Sequence, residues 1–185
     1  PFVCLETDRI VREQGDLPPN VDSEFFERCL DRGRSTIEDA LGSPRRITHV
    51  AKSQAQVEDV TSNRRILGDD GLVRKNRSVA PGGSDVRHLP AGVIDSWLKA
   101  VAFYDGQTKV TACYYYAVHP ISYCCQEGRV SSEFVGLARR LKQQHDDPAC
   151  THIYFTGCAG NQNTGKYNNS DVKENRQLLT QRVYQ

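Results

Sequence analysis

Residues Val110–Pro120 read VTACYYYAVHP. The run is apolar and aromatic almost throughout, and turn signals bound it. Such a run predicts a strand in the middle of a sheet, buried on both faces. Pro120 has no amide hydrogen and cannot continue a central ladder, so the strand is expected to stop at His119. A polar side chain at the exit of a central strand is a common position for chemistry in α/β proteins. Residues Phe155–Asn168, FTGCAGNQNTGKYN, repeat the form: a strand, then a loop rich in glycine and asparagine. The two strand exits are expected side by side.

The flanking sequence supports that arrangement. Ser131 or Ser132 can cap a helix with Glu133 in its first turn, and Phe134, Leu137, Ala138 and Leu141 form its apolar stripe. Thr151–Thr156 reads as a short buried strand. Strand, loop, helix and strand from 110 to 156 make a βαβ unit, with parallel pairing and a right-handed crossover. That topology brings His119 and the Gly157–Asn163 loop to one edge. Upstream, Trp97–Tyr104 pairs as a hairpin through Asp105-Gly106-Gln107.

Ile47–Val57 alternates as a half-buried strand, with Ile47, His49, Ala51, Ala55 and Val57 on its inner side and His49 as a core histidine. A helix begins at Asp22 or Ser23. Its buried stripe is Phe26, Cys29, Leu30, Gly33, Ile37, Ala40 and Leu41, and it ends at Gly42 and Pro44. Residues 1–20 show little periodicity. RRIL-GDDG-LVRK, residues 64–75, reads as a small hairpin turning at Asp70-Gly71. A last helix starts near Asp171 with Glu174 as its capping-box partner. The expected class is α/β: a mixed, partly parallel sheet flanked by helices, in one domain over residues 1–185.

A length of 185 residues is enough for one real core. A net charge of +1 offers no electrostatic argument for nucleic acid as a partner. No stretch approaches the roughly 20 apolar residues that cross a bilayer, so no transmembrane segment is expected. The sequence has no methionine and begins at Pro1, and Gln177–Gln185 reads as helix with no stop signal. These features suggest a piece of a larger catalytic domain, incomplete at both ends. Seven cysteines show no C-x-x-C and no paired Cys/His zinc spacing. Cys29 and Cys113 fall on apolar faces, and pairing among the loop cysteines stays open.

Glu58–Asp95 is a long polar connection, of the kind that is functional or disordered in compact domains. Arg64, Arg65, Arg74, Lys75 and Arg77 cluster there around Asp69 and Asp70. The cluster is either a solvated surface or a grip on a carbonyl or anionic group. His119 is either structural or a metal ligand; zinc needs three or four ligands, and one histidine is not a site. The GCAGNQNTG loop can hold an oxyanion or a carbonyl oxygen through its amides and through Asn161, Gln162 and Asn163. Its asparagines can equally satisfy their own backbone. There is no nucleophile elbow, P-loop or dinucleotide fingerprint, which argues against a serine or cysteine hydrolase.

Asn63-Arg64-Arg65, Gly92-Val93-Ile94-Asp95, Tyr116–Pro120, Ser131–Gly136 and Gly157–Asn168 form an ordered series. It resembles the N-terminal catalytic domain of the neutral/alkaline (non-lysosomal) ceramidases, most of all the shorter bacterial ceramidase-like proteins. The resemblance implies a zinc-dependent amidase. His119 matches the zinc-ligating histidine of an A-x-H-P motif, and Gly160–Asn163 matches the active-site segment. A second histidine ligand is then expected before Pro1, and glutamate and tyrosine ligands after Gln185.

The implied chemistry is metal-assisted amide hydrolysis, in which zinc lowers the pKa of a bound water and polarises the scissile carbonyl. Asn161 and Asn163 would orient the substrate or stabilise the oxyanion, while Arg65 and Gly160 would hold the substrate. That substrate is a small-molecule or lipid N-acyl amide, a sphingolipid by analogy, and the family suggests a secreted or periplasmic location. Asn163 stands where the ceramidases carry a serine. This departure points toward the alternative: a catalytically inactive ceramidase-like domain that binds a lipid, glycan or protein partner.

Overall fold

The computed structural model describes residues 5–15, 18, 22–80, 85–122, 130–145 and 148–185. Cys4, Pro19, Cys124, Cys125, Gly128 and Asp146 lie outside them. The chain forms two compact units, Pro1–Arg46 and Ile47–Gln185.

The first unit contains helices α1 (Leu5–Glu13) and α2 (Ser23–Leu41). Helix α1 falls where apolar periodicity is weak. Its signal is charge spacing: Arg9 pairs with Glu6 and Glu13, and Arg12 with Asp8 at 2.7 Å, all three or four residues apart. Asp22 caps α2 by accepting from the Phe25 amide at 2.8 Å. The apolar stripe of α2 is present but not buried. Leu30 is 55 % exposed, Ile37 63 % and Leu41 74 %. Amphipathic spacing selects a face; it does not supply the surface that covers it. Two helices alone cannot enclose a core.

The second unit is an α/β fold around a mixed, four-stranded sheet in the order β1 (His49–Gln56), β5 (Trp97–Asp105), β6 (Thr108–Tyr116), β7 (Thr151–Thr156). Three further short strands, β2 (Ser62–Asn63), β3 (Arg65–Leu67) and β4 (Val73–Asn76), fall between β1 and β5. β1–β5 and β5–β6 are antiparallel, and β6–β7 is parallel through helix α3 (Glu133–His145). The hairpin turns at Gly106, whose φ of 56° suits glycine. Helix α4 (Val172–Tyr184) packs on α3, capped by Asp171, which accepts from the Glu174 amide at 2.9 Å.

Register assigns the two faces. The helix-side rows run Ala51–Ala102–Ala112–His152 and Ser53–Ala100–Tyr114–Tyr154. The large residues, Tyr114, His152 and Tyr154, lie on β6 and β7 beneath the helices; the small ones lie on β1, on β5 and at Ala112 of β6. The core gathers Val57, Val60, Tyr116, Val118, Phe134, Val135 and Leu179. On the opposite face, Lys52, Val101, Cys113 and Ile153 form one row, with Val101 and Ile153 exposed.

Three expectations need correction. β6 is interior to the sheet, but full burial is confined to Val110, Ala112 and Tyr116 on its helix side. The strand stops at Tyr116 rather than His119, because the Val118 amide turns back to the Tyr116 carbonyl at 3.0 Å. β1 is exposed along its whole length, since it is the edge strand farthest from β7, where α3 packs. His49 is therefore no core histidine; it stacks on Tyr104 at 5.0 Å at the surface.

β3 and β4 form the expected hairpin, turning at Gly71 with φ 74°. β2 pairs with β8 (Gln162–Asn163), a contact no local pattern signals. Among the described residues, Cys29, Cys113 and Cys158 are free thiols. No described helix is long and apolar enough to cross a membrane.

Candidate active site at the carboxyl rim of the sheet

β6 and β7 leave the sheet together, with Tyr116 opposite Thr156. The Gly157 amide and the Tyr154 hydroxyl both donate to the Tyr116 carbonyl, at 3.0 and 3.2 Å. These bonds hold the two exits in one plane. The chain after β7 folds into a tight bend: the Ala159 amide reaches the Gly157 carbonyl at 2.7 Å, and the Gln162 amide reaches the Ala159 carbonyl at 3.0 Å. A Cβ on Gly157 would meet the Tyr115 ring at 2.7 Å, so a side chain there would have to displace that ring.

His119 lies against this bend. Its amide donates to the Gln162 carbonyl at 2.9 Å, and it forms an isolated parallel bridge with Asn163. Its side chain is exposed. β2 pairs with the other side of the same segment, Ser62 opposite Asn163 and Asn63 opposite Gln162. The rim is thus three segments wide: 61–65, 161–165 and 117–121.

The two asparagines play different parts. Asn163 is 6 % exposed. Its amide nitrogen donates to the Arg77 carbonyl at 3.3 Å, and its amide oxygen accepts from Gly165 at 3.0 Å. Both ends are spent on the scaffold. Asn161 donates to the Asn63 amide oxygen at 2.6 Å, which also accepts from the Arg65 amide at 2.9 Å. The Asn161 amide oxygen, by contrast, is buried with no hydrogen-bond partner. A buried acceptor left unmade costs about 1–3 kcal/mol. Gly160 is exposed, with open space where a Cβ would sit. Arg65 is on β3, exposed, held near the bend by its backbone bond to Asn63.

The sequence offered no way to see the scaffold of the rim. Arg77 reads as one of a surface cluster, yet it is 2 % exposed. Its guanidinium donates to the carbonyls of Asn63 at 2.6 Å, Leu89 at 3.2 Å and Pro90 at 2.9 Å. Burial pushes its pKa below the ordinary arginine value. Asn63 bonds Asn161, Arg65 and Val93, and its amide donates to Ala91 at 2.7 Å. Gln162 accepts from the Asp95 amide at 3.1 Å. The Asp95 carboxyl sits below the usual range, chiefly through its bond to Lys99 at 2.7 Å. Apart from Arg65 beside Asn63 and Lys99 beside Asp95, these partners come from distant positions, so only the quoted motifs could have flagged Asn63 and Asp95, and nothing local flags Arg77.

Zinc requires three or four ligands. Among the described residues there is no group of three or more His, Cys, Asp or Glu side chains able to hold a metal. Among the described residues, His119 by itself does not make a metal centre.

Two solved structures share the fold. One is a ceramidase complexed with C2, at a TM-score of 0.51 and 15% identity. The other is the neutral ceramidase from Pseudomonas aeruginosa, at 0.50 and 18%. Each comparison covers 73% of this chain and only 20% and 21% of the respective neighbour. The chain therefore has a ceramidase-like α/β fold and spans about a fifth of those proteins. No family model matches the chain, and no curated protein matches it.

Proposed function

We propose that this chain is part of a zinc-dependent hydrolase that cleaves an N-acyl amide, ceramide-like in kind, with water as the nucleophile. The supporting observation is the bridge between His119 and Asn163. It sets an exposed imidazole beside a bend carrying an unpartnered acceptor, at the exit of two parallel strands, in a ceramidase-like fold.

In this reading His119 supplies one metal ligand, and the remaining ligands come from residues outside this chain. The bound metal would supply an activated water and a polarised carbonyl. Asn161 contributes positioning: its bond to Asn63 fixes the bend against which the scissile bond is oriented. Gly160 leaves room for the substrate to approach, and Arg65 holds its polar part. Asn163 keeps the bend in shape.

Zinc content and N-acyl amide hydrolysis, measured on the full-length protein, test the reading. Stoichiometric zinc that is lost in His119→Ala together with hydrolysis supports it. Full-length protein that stays metal-free after incubation with zinc overturns it. Asn163 favours a second reading, a ceramidase-like domain that binds a lipid, glycan or protein without catalysis. It replaces the family's serine, and neither of its amide atoms is available to a substrate.

A further inference from the structure

Beyond His119 the chain is held by side chains rather than by strand pairing. His119 precedes a proline, which biases its backbone toward extended conformations, and Pro120 has a fixed φ. The next two residues are gripped from three directions. The Ile121 carbonyl accepts from the Thr164 hydroxyl at 2.6 Å and from the Asn168 side-chain amide at 3.0 Å. The Ser122 amide donates to the Glu133 carboxylate at 3.0 Å, and the Ser122 hydroxyl donates to the same oxygen. The Ser122 carbonyl accepts from the Asn175 side chain at 3.4 Å.

The partners also hold one another. Asn175 donates to the Asn168 amide oxygen at 3.0 Å and accepts from the Asn169 amide at 3.3 Å. Ser122, Thr164, Asn168 and Asn175 are each 2 % exposed or less. Glu133 opens α3 with φ 55°, a left-handed backbone that residues with a side chain rarely adopt. Strain of this kind persists where the surrounding contacts over-determine it, and it clusters at functional sites.

The consequence for His119 is geometric. Its amide is tied to the Gln162 carbonyl on one side, and Thr164 and Asn168 of the same loop hold Ile121 on the other. Glu133 and Asn175 then fix the far end of the segment to α3 and α4. The imidazole itself is exposed. An exposed ligand is only as well placed as the backbone that carries it. We infer that Glu133 and Asn175 are positioning residues for His119: they set the direction in which its side chain leaves the rim, and with it the affinity of the site for zinc. The inference rests on the reading of His119 as a metal ligand.

Two quantities measured on the full-length protein test it. One is the residue-resolved hydrogen-exchange rate of the His119 amide, whose partner is the Gln162 carbonyl and neither positioning residue. The other is zinc affinity, by competition with a chelator. Glu133→Ala and Asn175→Ala should each weaken zinc about tenfold or more. They should also speed exchange at His119 more than at Val101, in the middle of the sheet. Glu133→Gln keeps the length and an acceptor oxygen and should stay near the parent in both readouts. Glu133→Asp keeps the charge but is one methylene short, and should behave as alanine does. This series keeps the test decisive if Asn175→Ala misfolds. Gly106→Ala, which strains the far end of the β5–β6 hairpin, reads general destabilisation and should leave zinc affinity unchanged. Parent-like His119 exchange in both alanine variants overturns the inference, as does unchanged zinc affinity in a loosened variant. So does a zinc loss in Gly106→Ala equal to theirs, or Glu133→Asp matching the parent while Glu133→Gln fails. A parent protein that takes up no zinc removes the amidase reading and the zinc arm together, and the exchange arm then decides by itself whether the two residues fix His119.

Discussion

The backbone amide of His119 donates to the carbonyl oxygen of Gln162 at 2.9 Å, while the imidazole faces outward. Backbone and side chain thus do separable jobs, one fixing the rim and the other open to a ligand. His119→Ala should leave the melting temperature within about 2 °C, because surface substitutions fall within about 0.5 kcal/mol. His119→Pro removes the donor and should cost about 1–3 kcal/mol. Thermal melts of the two variants, side by side, check the division; equal melts would refute it.

Asn163→Ser, which installs the residue that the ceramidase resemblance implies at this position, should destabilise the chain by about 1–3 kcal/mol, since a hydroxyl is too short to serve both the Arg77 carbonyl and the Gly165 amide. Urea midpoints measure this. An unchanged midpoint would mean the amide is not holding the bend.

Arg77→Met should be among the most damaging single changes. It strands the carbonyls of Asn63, Leu89 and Pro90 around an apolar side chain, at about 3 kcal/mol or more. Arg77→Lys should recover only part of that, because an ammonium cannot reproduce the planar fork. Denaturant unfolding of the pair distinguishes hydrogen-bond geometry from charge alone.

Two glycines of the rim should behave oppositely. A Cβ on Gly165 would lie 2.3 Å from the Ser78 carbonyl oxygen, whereas one on Gly160 meets nothing within 4 Å. Gly165→Ala should cost about 1–3 kcal/mol through overpacking, and Gly160→Ala about 0.5 kcal/mol or less. Circular-dichroism melts report both.

Two core tyrosines respond to different chemistry. The Tyr116 hydroxyl is buried without a partner, so Tyr116→Phe should be neutral or stabilising by about 1 kcal/mol. Tyr154 donates to the Tyr116 carbonyl, and burial pushes its pKa from 10.0 up to about 12. The unfolded chain loses this proton first as pH rises. Tyr154 therefore contributes stability that is complete below pH 10 and is lost between pH 10 and about 12. Melts over that window should fall more steeply for the parent than for Tyr154→Phe.

The sequence by itself determined the local elements. The hairpin at Gly106, the caps at Asp22 and Asp171, the α3 stripe and the βαβ order are set by residue periodicity, side-chain caps and turn chemistry within a few positions. That order was enough to predict that the exits of β6 and β7 adjoin. Tertiary structure alone decided what covers each face and what each polar group meets. It left the α2 stripe and β1 exposed, turned Arg77 from a surface charge into a buried clamp, and spent Asn163 on the scaffold while leaving an acceptor free on Asn161. The physical reason is range: a helix or strand is specified by neighbours along the chain, whereas burial and hydrogen-bond satisfaction depend on groups far along the chain, 101 residues apart for Ser62 and Asn163.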